Sequence, residues 1–321
     1  MAILLSDVQV NFQDHLWGRV IDEFRKNNFL LDNMPFDDAI SPTGGGATMT
    51  YTYNRVTTQA TAATRAINTE YTAQEAKKKR FAVDLKVFGG SFAIDRVLAG
   101  TGGIENEVTF QLNQKIKATQ ATFSDMVING DSAKDANGFD GLDKAIKGTA
   151  TDVDGSSLDL STTASITTNY HAFLDLLDEM LSTMDGKPTA LLGNGAMIAK
   201  IRAAARRASM YQTTKDNWGQ NVEYYGDIPL INLGAKAGSN DPIIATDNLG
   251  LTNLYAVRLA EDGFHGVSMA GQSPIRTWLP DFTTAGAVKK GEVEMVAAVA
   301  LKATKAAAVL RSVKVSGGSD A

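Results

Sequence analysis

From Gly102 to Leu142 the chain carries the pattern that leaves it fewest choices: apolar residues at Ile104, Val108, Leu112, Ile116, Phe123 and Val127, with Thr119 in the remaining place. Steps of three and four keep these on one face, so the stretch predicts a single long amphipathic helix. Gly102 and Gly103 free its entry, Glu105 and Glu107 fall in the first turn where the helix dipole favours anions, and Asn129-Gly130-Asp131 offers a left-handed exit. At about 1.5 Å per residue the rod is roughly 39 Å long. One stripe on such a rod needs a sheet to lie on, and Gly138-Phe139-Asp140-Gly141-Leu142 follows closely.

Upstream, Thr48 to Arg55 alternates like a strand, and Phe81, Val83, Leu85 and Val87 alternate with Arg80, Ala82, Asp84 and Lys86. Together they predict a β-ribbon. Its distal part, Val56 to Ala73, has hardly a large apolar side chain, and a lone two-stranded ribbon is at best marginally stable in water, so it must lie on something else. Ahead of it, Ser6 to Gln9 matches a capping box and opens a helix with Leu16, Val20 and Phe24 on one face beside Trp17 and Ile21, ending at Asn27-Asn28. Leu30 to Ile40 reads as an extended acidic strand or arm broken by Pro35, and Pro42 to Gly46 as a flexible joint. Arm and ribbon both read as appendages. Gly89-Gly90 is expected to bend the chain back, with a short element from Phe92 to Leu98 before the long helix.

Beyond Leu142 the polar stretch Gly148 to Thr168 reads as a passage into a second unit. That unit opens with a helix carrying Tyr170, Phe173, Leu174, Leu177, Leu181 and Met184, stopped by Asp185-Gly186-Lys187-Pro188. A strand from Thr189 to Leu192 follows. Asn194 then caps a helix from Ala196 to Ala208, with Met197, Ile198 and Ile201 buried and Arg202, Arg206 and Arg207 exposed. Strands are expected over Tyr224–Asn232, Pro242–Ala245 and Asn253–Leu259. Glu292 to Val315, rich in Val and Ala, reads as returning strands, and Gly317 onward as a loose end.

An N-terminal arm, a long polar ribbon, a spine helix ending in N-G-D, a following G-F-D-G-L and the later Val222-Glu223-Tyr224-Tyr225-Gly226-Asp227-Ile228-Pro229-Leu230-Ile231, taken in that order, resemble the major capsid proteins of tailed bacteriophages, the HK-ninety-seven-like shell fold. No one of these motifs is specific; their order and spacing carry the likeness. The resemblance implies an α+β chain with an N-terminal arm (1–42), an extended β-ribbon loop (43–88), a peripheral domain built on the spine helix (89–149), an inserted axial domain (150–280), and peripheral return strands with a C-terminal tail (281–321) that complete the sheet beside the spine helix. It further implies a flat, wedge-shaped subunit that associates with itself as hexamers and pentamers into an icosahedral shell around double-stranded DNA. Its partners would be a portal, a scaffolding protein and, in some relatives, cement proteins, and its place the virion capsid after assembly in the host cytoplasm. Many relatives carry a cleavable N-terminal scaffolding segment. This sequence opens directly on an arm-like helix, so a separate scaffolding protein is expected instead. Encapsulins, which enclose a cargo enzyme, resemble the same shell fold and are the nearest alternative; a cytoplasmic enzyme of novel type is the distant one.

A chain of 321 residues with 44% hydrophobic and 21% charged residues has the composition of a globular protein with sizeable cores. Cysteine is absent, which excludes disulfides and thiolate metal sites. The opening Met1 to Ser6 is too short for a signal-peptide core, and no later run is apolar for long enough to span a bilayer. A net charge of -5 argues against a tight DNA binder, because phosphate affinity comes from clustered Lys and Arg.

Motifs of catalysis are missing. There is no phosphate-cradling G-x-x-x-x-G-K-[ST], and Gly44 to Gly46 and Gly100 to Gly103 lack dinucleotide spacing and read as hinges. His15, His171 and His265 are scattered, with no carboxylates at ligand spacing, and each reads as a surface or interface residue, so neither metal nor cofactor is expected. Gly266-Val267-Ser268-Met269-Ala270-Gly271 resembles a nucleophile elbow, but His265 adjoins the serine and no helix follows; a turn between two strands is the expectation.

Charge is more informative. Residues 1–40 hold seven acids against three bases, net -4, while residues 47–88 hold seven bases against three acids, net +4. Arg55, Lys77, Lys78, Lys79 and Arg80 on the ribbon, with Asp37 and Asp38 on the arm, are therefore the candidate intersubunit contacts, where complementary potential sets register more than affinity.

Overall fold

The computed structural model describes residues 29–40, 48–100, 106–209, 212–215, 221–271 and 273–317. The expected helix over Ser6 to Asn27, the joint at Pro42 to Gly46, and Gly102, Gly103, Ile104 and Glu105 lie outside them.

The first part of the chain holds helix α1 (Phe29–Asn33), strands β1 (Phe36–Ile40), β2 (Thr50–Thr58), β3 (Lys77–Asp84) and β4 (Lys86–Asp95), then helices α2 (Arg96–Ala99), α3 (Glu107–Asn129) and α4 (Leu142–Ile146). The middle holds β5 (Asp152–Asp154), α5 (Thr163–Ser182), β6 (Ala190–Gly193), α6 (Gly195–Arg207), β7 (Gln212–Lys215), β8 (Asn221–Tyr225) and β9 (Ile228–Asn232). The last part is all strand apart from one 3-10 turn: β10 (Leu251–Val257), β11 (Phe264–Met269), β12 (Ile275–Trp278), β13 (Val288–Leu301) and β14 (Ala307–Lys314). Helix and strand make up 28% and 34%, the α+β class expected from the sequence.

The spine helix α3 begins where the Asn106 side chain accepts from the Val108 and Thr109 amides, with Glu107 in its first turn. Phe123 and Val127 are fully buried, whereas Val108, Leu112 and Ile116 are only half-buried within the subunit. The C-terminal half of the stripe is thus core and the N-terminal half is not, a correction to the uniform burial expected. The exit is also different. Gly130 has φ -56 and ψ 135, an extended and not a left-handed turn; it is glycine because a Cβ there would overlap the Phe139 and Met126 carbonyl oxygens. Lys144 bridges Asp131 and Asp140 at 2.6 and 2.8 Å, stitching N-G-D to G-F-D-G-L while Phe139 turns into the core.

Two sheets organise the subunit. The five-stranded sheet runs β1-β11-β13-β12, with β4 also paired to β13, and α3 packs on β4 and β13. Phe123 meets Phe36, Phe88 and Phe139 with ring centroids 6.0, 6.1 and 6.2 Å away. Several expectations change here. Leu30 and Met34 are buried in this core, the former from a helix, and β1 pairs in parallel with β11, so residues 29–40 are part of the body and not an appendage. The run through Val87 is two strands: the Leu85 amide donates to the Met49 carbonyl at 2.8 Å, Leu85 is buried, and Val87 is exposed beyond the break. Gly89-Gly90 does not bend the chain; both sit inside β4, and a Cβ on Gly89 would overlap the Val293 carbonyl of β13.

The seven-stranded sheet runs β5-β14-β10-β6-β9-β8-β7. Alternation sends Ala190, Leu192, Tyr255, Val257, Ala307 and Val309 to the core shared with α3, and Leu191, Leu254, Ala256, Ala308 and Leu310 to a second core under α5 and α6. Being covered on both faces explains why β14 reads as a continuous apolar run. β14 does not join the sheet beside the spine helix, as was expected; of the two returning strands only β13 does, and β11 and β12, expected in the inserted unit, belong with it. The polar passage is likewise structural: β5 pairs with β14, and Leu158 and Leu160 are buried. Asn194 caps α6 as read, accepting from the Met197 amide at 2.8 Å, but Arg202 and Arg207 are not free: Arg202 pairs with Glu223 and Arg207 bonds Thr167. Pro242 to Ala245 forms only an isolated bridge through Pro242, with Ile243 and Ile244 buried.

The Gly266-to-Gly271 stretch corrects a further expectation. Phe264 to Met269 is strand β11, so the expected turn between two strands is confined to Ala270 and Gly271, and His265 and Ser268 are both buried within β11.

Candidate assembly interface

The ribbon of β2 and β3 pairs from Thr50↔Asp84 to Thr58↔Lys77, slipping by a residue between Val56 and Thr58. Its alternation places Tyr51, Tyr53 and Arg55 on one face, and that face is the one turned to the five-stranded sheet. Tyr51 packs with Ile40, Leu85, Val267, Val296 and Ala300 in a small core of its own. Its hydroxyl donates to Asp37 Oδ2 at 2.6 Å, and Lys302 Nζ lies 3.7 Å from the same oxygen. Burial, and then the bond to Asp37, hold the Tyr51 hydroxyl above the ordinary tyrosine value. Burial works against charge on Lys302, but Tyr51 and Asp37 outweigh it, so its ammonium is held above the ordinary lysine value.

One step along, the Tyr53 hydroxyl donates to the Leu301 carbonyl at 2.9 Å. Arg55 then donates to the carbonyls of Lys302 at 2.9 Å and Leu301 at 2.5 Å and to Thr304 Oγ1 at 3.0 Å. Its guanidinium lies 4.4 Å above the Phe81 ring, which itself stacks on Tyr53 at 5.7 Å. A cavity of about 310 Å³ opens beside this clamp, lined by Arg55, Phe81, Val83, Asp140, Lys144 and Leu301 among others.

Past the clamp the ribbon has no support from its own chain. Residues 59–76 carry no strand and are exposed throughout, as are Lys77, Lys78, Lys79 and Arg80. Val56, Ile67 and Tyr71 stand in solvent here, and Trp278, Leu279, Phe282 and Val288 are likewise exposed apolar side chains. Among the candidate contacts, Arg55 and Asp37 therefore have partners inside the subunit, while the four consecutive bases and Asp38 are exposed, with Lys79, opposite Arg55, placing Nζ 5.5 Å from the Phe81 ring. Tyr51, Tyr53 and Lys302 complete the root and were not singled out from sequence, and His265, read there as a surface or interface residue, is buried against it; the strand parity that puts Tyr51, Tyr53 and Arg55 together was the available signal. Among the described residues no group of three His, Asp or Glu could hold a metal ion, and no helix is long and apolar enough to cross a membrane.

No protein-family model matches the chain, nor does any curated protein. Solved structures do. It is similar to the encapsulin of the holo-SrpI complex from Synechococcus elongatus PCC 7942, at a TM-score of 0.65 and 15% identity over 98% of this chain and 97% of that one. The capsid of Myoviridae phage XM1 gives a TM-score of 0.60 and 10% identity over 98% and 99% of the two chains. A structure from Mycobacterium phage Bobi gives 0.60 and 12% identity over 98% and 99%. The fold is the HK-ninety-seven-like shell fold common to phage capsid proteins and an encapsulin.

Proposed function

We propose that the chain is the major capsid protein of a tailed bacteriophage, a non-enzymatic subunit that assembles with itself as hexamers and pentamers into the icosahedral head enclosing double-stranded DNA. The observation that carries this reading is the two-part ribbon. Its root is clamped to the subunit by Tyr51, Tyr53 and Arg55, while its outer half is exposed, basic and without a core. A strand pair of that kind gains stability only when another surface covers it, and in a closed symmetric shell every copy has a neighbour to do so. Lys77 to Arg80 set the ribbon on an acidic surface of the adjacent subunit, with Asp38 among the acids that such a surface presents. A separate scaffolding protein directs assembly in the host cytoplasm, the portal occupies one vertex, and cement proteins have the exposed Trp278–Phe282 region available to them. The net charge of -5 suits a wall past which packaged DNA slides.

The likeness to an encapsulin at a TM-score of 0.65 favours one second reading, a protein nanocompartment. Purified particles separate the two: nuclease-protected double-stranded DNA inside them supports the capsid, and a stoichiometric co-purifying enzyme with no protected nucleic acid supports the compartment.

A further inference from the structure

We propose that His265 makes the seating of the ribbon root acid-sensitive: while its ring is neutral the root stays closed on the five-stranded sheet, and a proton on the ring lifts Tyr51 and the strand that carries it. The inference stands on the subunit's own packing and does not depend on what the assembled particle contains.

His265 alternates with Val267 and Met269 on β11, so it points to the ribbon side while Phe264 enters the main core. It is 0% exposed, and neither Nδ1 nor Nε2 has a hydrogen-bond partner. Such a ring is tolerated neutral and edge-on to an aromatic, and Tyr51 meets it that way, at 5.8 Å and 75°. The charged and titratable groups packed around it are Tyr51 from β2, Asp37 from β1 and Lys302 just after β13. The Tyr51 hydroxyl is already committed to Asp37, and Arg258 and Asp262 ahead of β11 pair with each other at 2.9 Å. An imidazolium here would be a buried charge beside an ammonium, with only weak pulls from Asp37 and the Gly263 backbone in its favour, which an interior does not accommodate without rearrangement. β11 is hydrogen-bonded on both sides, to β1 and β13, whereas β2 and β3 have only each other. The ribbon root is therefore what gives way.

The sign follows from the direction of the shift. Burial, and then Lys302, hold His265 below the ordinary histidine value, against weaker pulls from Asp37 and the Gly263 backbone. The closed root thus has its full stability above about pH 6.5 and loses it as pH falls from there toward the lowered value.

Hydrogen exchange of the intact protein, read by mass spectrometry at pH 7 and pH 5 and corrected for intrinsic rates, tests this. Protection over residues 48–58 and 77–86 should fall by about tenfold in the wild type, within a ceiling of ~30-fold for a histidine titrating from 6.5. Residues 307–314 serve as the internal reference and should hold. In His265→Phe the root peptides should change less than about twofold, and His265→Gln, neutral and polar, gives the same reading should the phenylalanine not pack. Unchanged root protection in the wild type overturns the proposal, as does an equal loss at 307–314. So does an acid response that survives in the histidine variants but disappears in Asp37→Asn.

Discussion

Tyr51 on the ribbon donates its hydroxyl to Asp37 on β1 across 2.6 Å, tying together two segments that the sequence presents as separate appendages. The bond ends on a carboxylate that Lys302 also approaches at 3.7 Å, so removing the hydroxyl leaves Asp37 still partnered. Tyr51→Phe should therefore cost only about 1–2 kcal/mol of subunit stability. Tyr51→Ala, which also empties the small core above Val267 and Ala300, should cost roughly 3–5 kcal/mol. Denaturant unfolding of the two variants measures the gap, and equal losses would mean that the ring contributes nothing beyond its hydroxyl.

Phe123 and Leu112 lie on the same stripe of the spine helix but not in the same environment, since Phe123 sits among three other phenylalanine rings and Leu112 is half exposed. Phe123→Ala should lose about 3–5 kcal/mol through transfer and cavity terms and should sharply reduce soluble subunit. Leu112→Ala should lose well under half of that in the isolated subunit. A larger effect of Leu112→Ala on particle yield than on subunit stability would identify the N-terminal half of the spine as a surface covered by another chain.

Arg311 on β14 pairs with Asp143 of α4 and with Asp152 of β5, and Asp143 also accepts from the Tyr255 hydroxyl at 2.8 Å. This one guanidinium holds two carboxylates that would otherwise face each other. Arg311→Leu should cost about 3 kcal/mol, because truncating one partner strands the other charges, with the partial exposure of the site keeping the loss at that lower end. Adding Asp143→Asn should recover part of it, which thermal unfolding of the single and double variants reads directly; no recovery would mean that the loss is packing alone.

Local pattern made much of this legible, and its limits are physical. Asn194 capping α6, and the opposite faces taken by Leu191 and Leu192, follow from spacing a reader can count. Which strand lies beside which does not: the alternation of Ala307 to Leu310 is the same whether β14 joins the spine sheet or the other one, and only the long-range register decides. Gly89 and Gly130 look like turn residues, yet each is glycine because a backbone carbonyl passes where a Cβ would be. His265 shares parity with Val267 and Met269, which was a usable sign of burial, but adjacency to Ser268 in a G-x-S-x-G-like run drew attention to the wrong chemistry. The root of the ribbon was half visible. Arg55 stood out by charge as an outward contact, and its partners lie some 250 residues away, at Leu301 and Thr304, where no local signal reaches.

Reversal of Lys77, Lys78, Lys79 and Arg80 to Glu should leave the subunit folded, because all four are exposed and none enters a core, while weakening or abolishing assembly in a salt-dependent way. Like charges brought together across an interface cost several kcal/mol, screened over about 8 Å at physiological ionic strength. Circular dichroism beside particle yield tests it. Full yield of normal shells would remove these residues from the interface, and loss of the folded signal would place them in the subunit's own stability.

Sedimentation velocity of the purified wild-type protein, with negative-stain images of the same fractions, bears most directly on shell formation itself. Closed, uniform particles sedimenting far ahead of any small oligomer are the predicted result, alone or once a scaffolding protein is supplied. A single discrete species of a few subunits under both conditions, with no closed particles on the grid, would contradict the account.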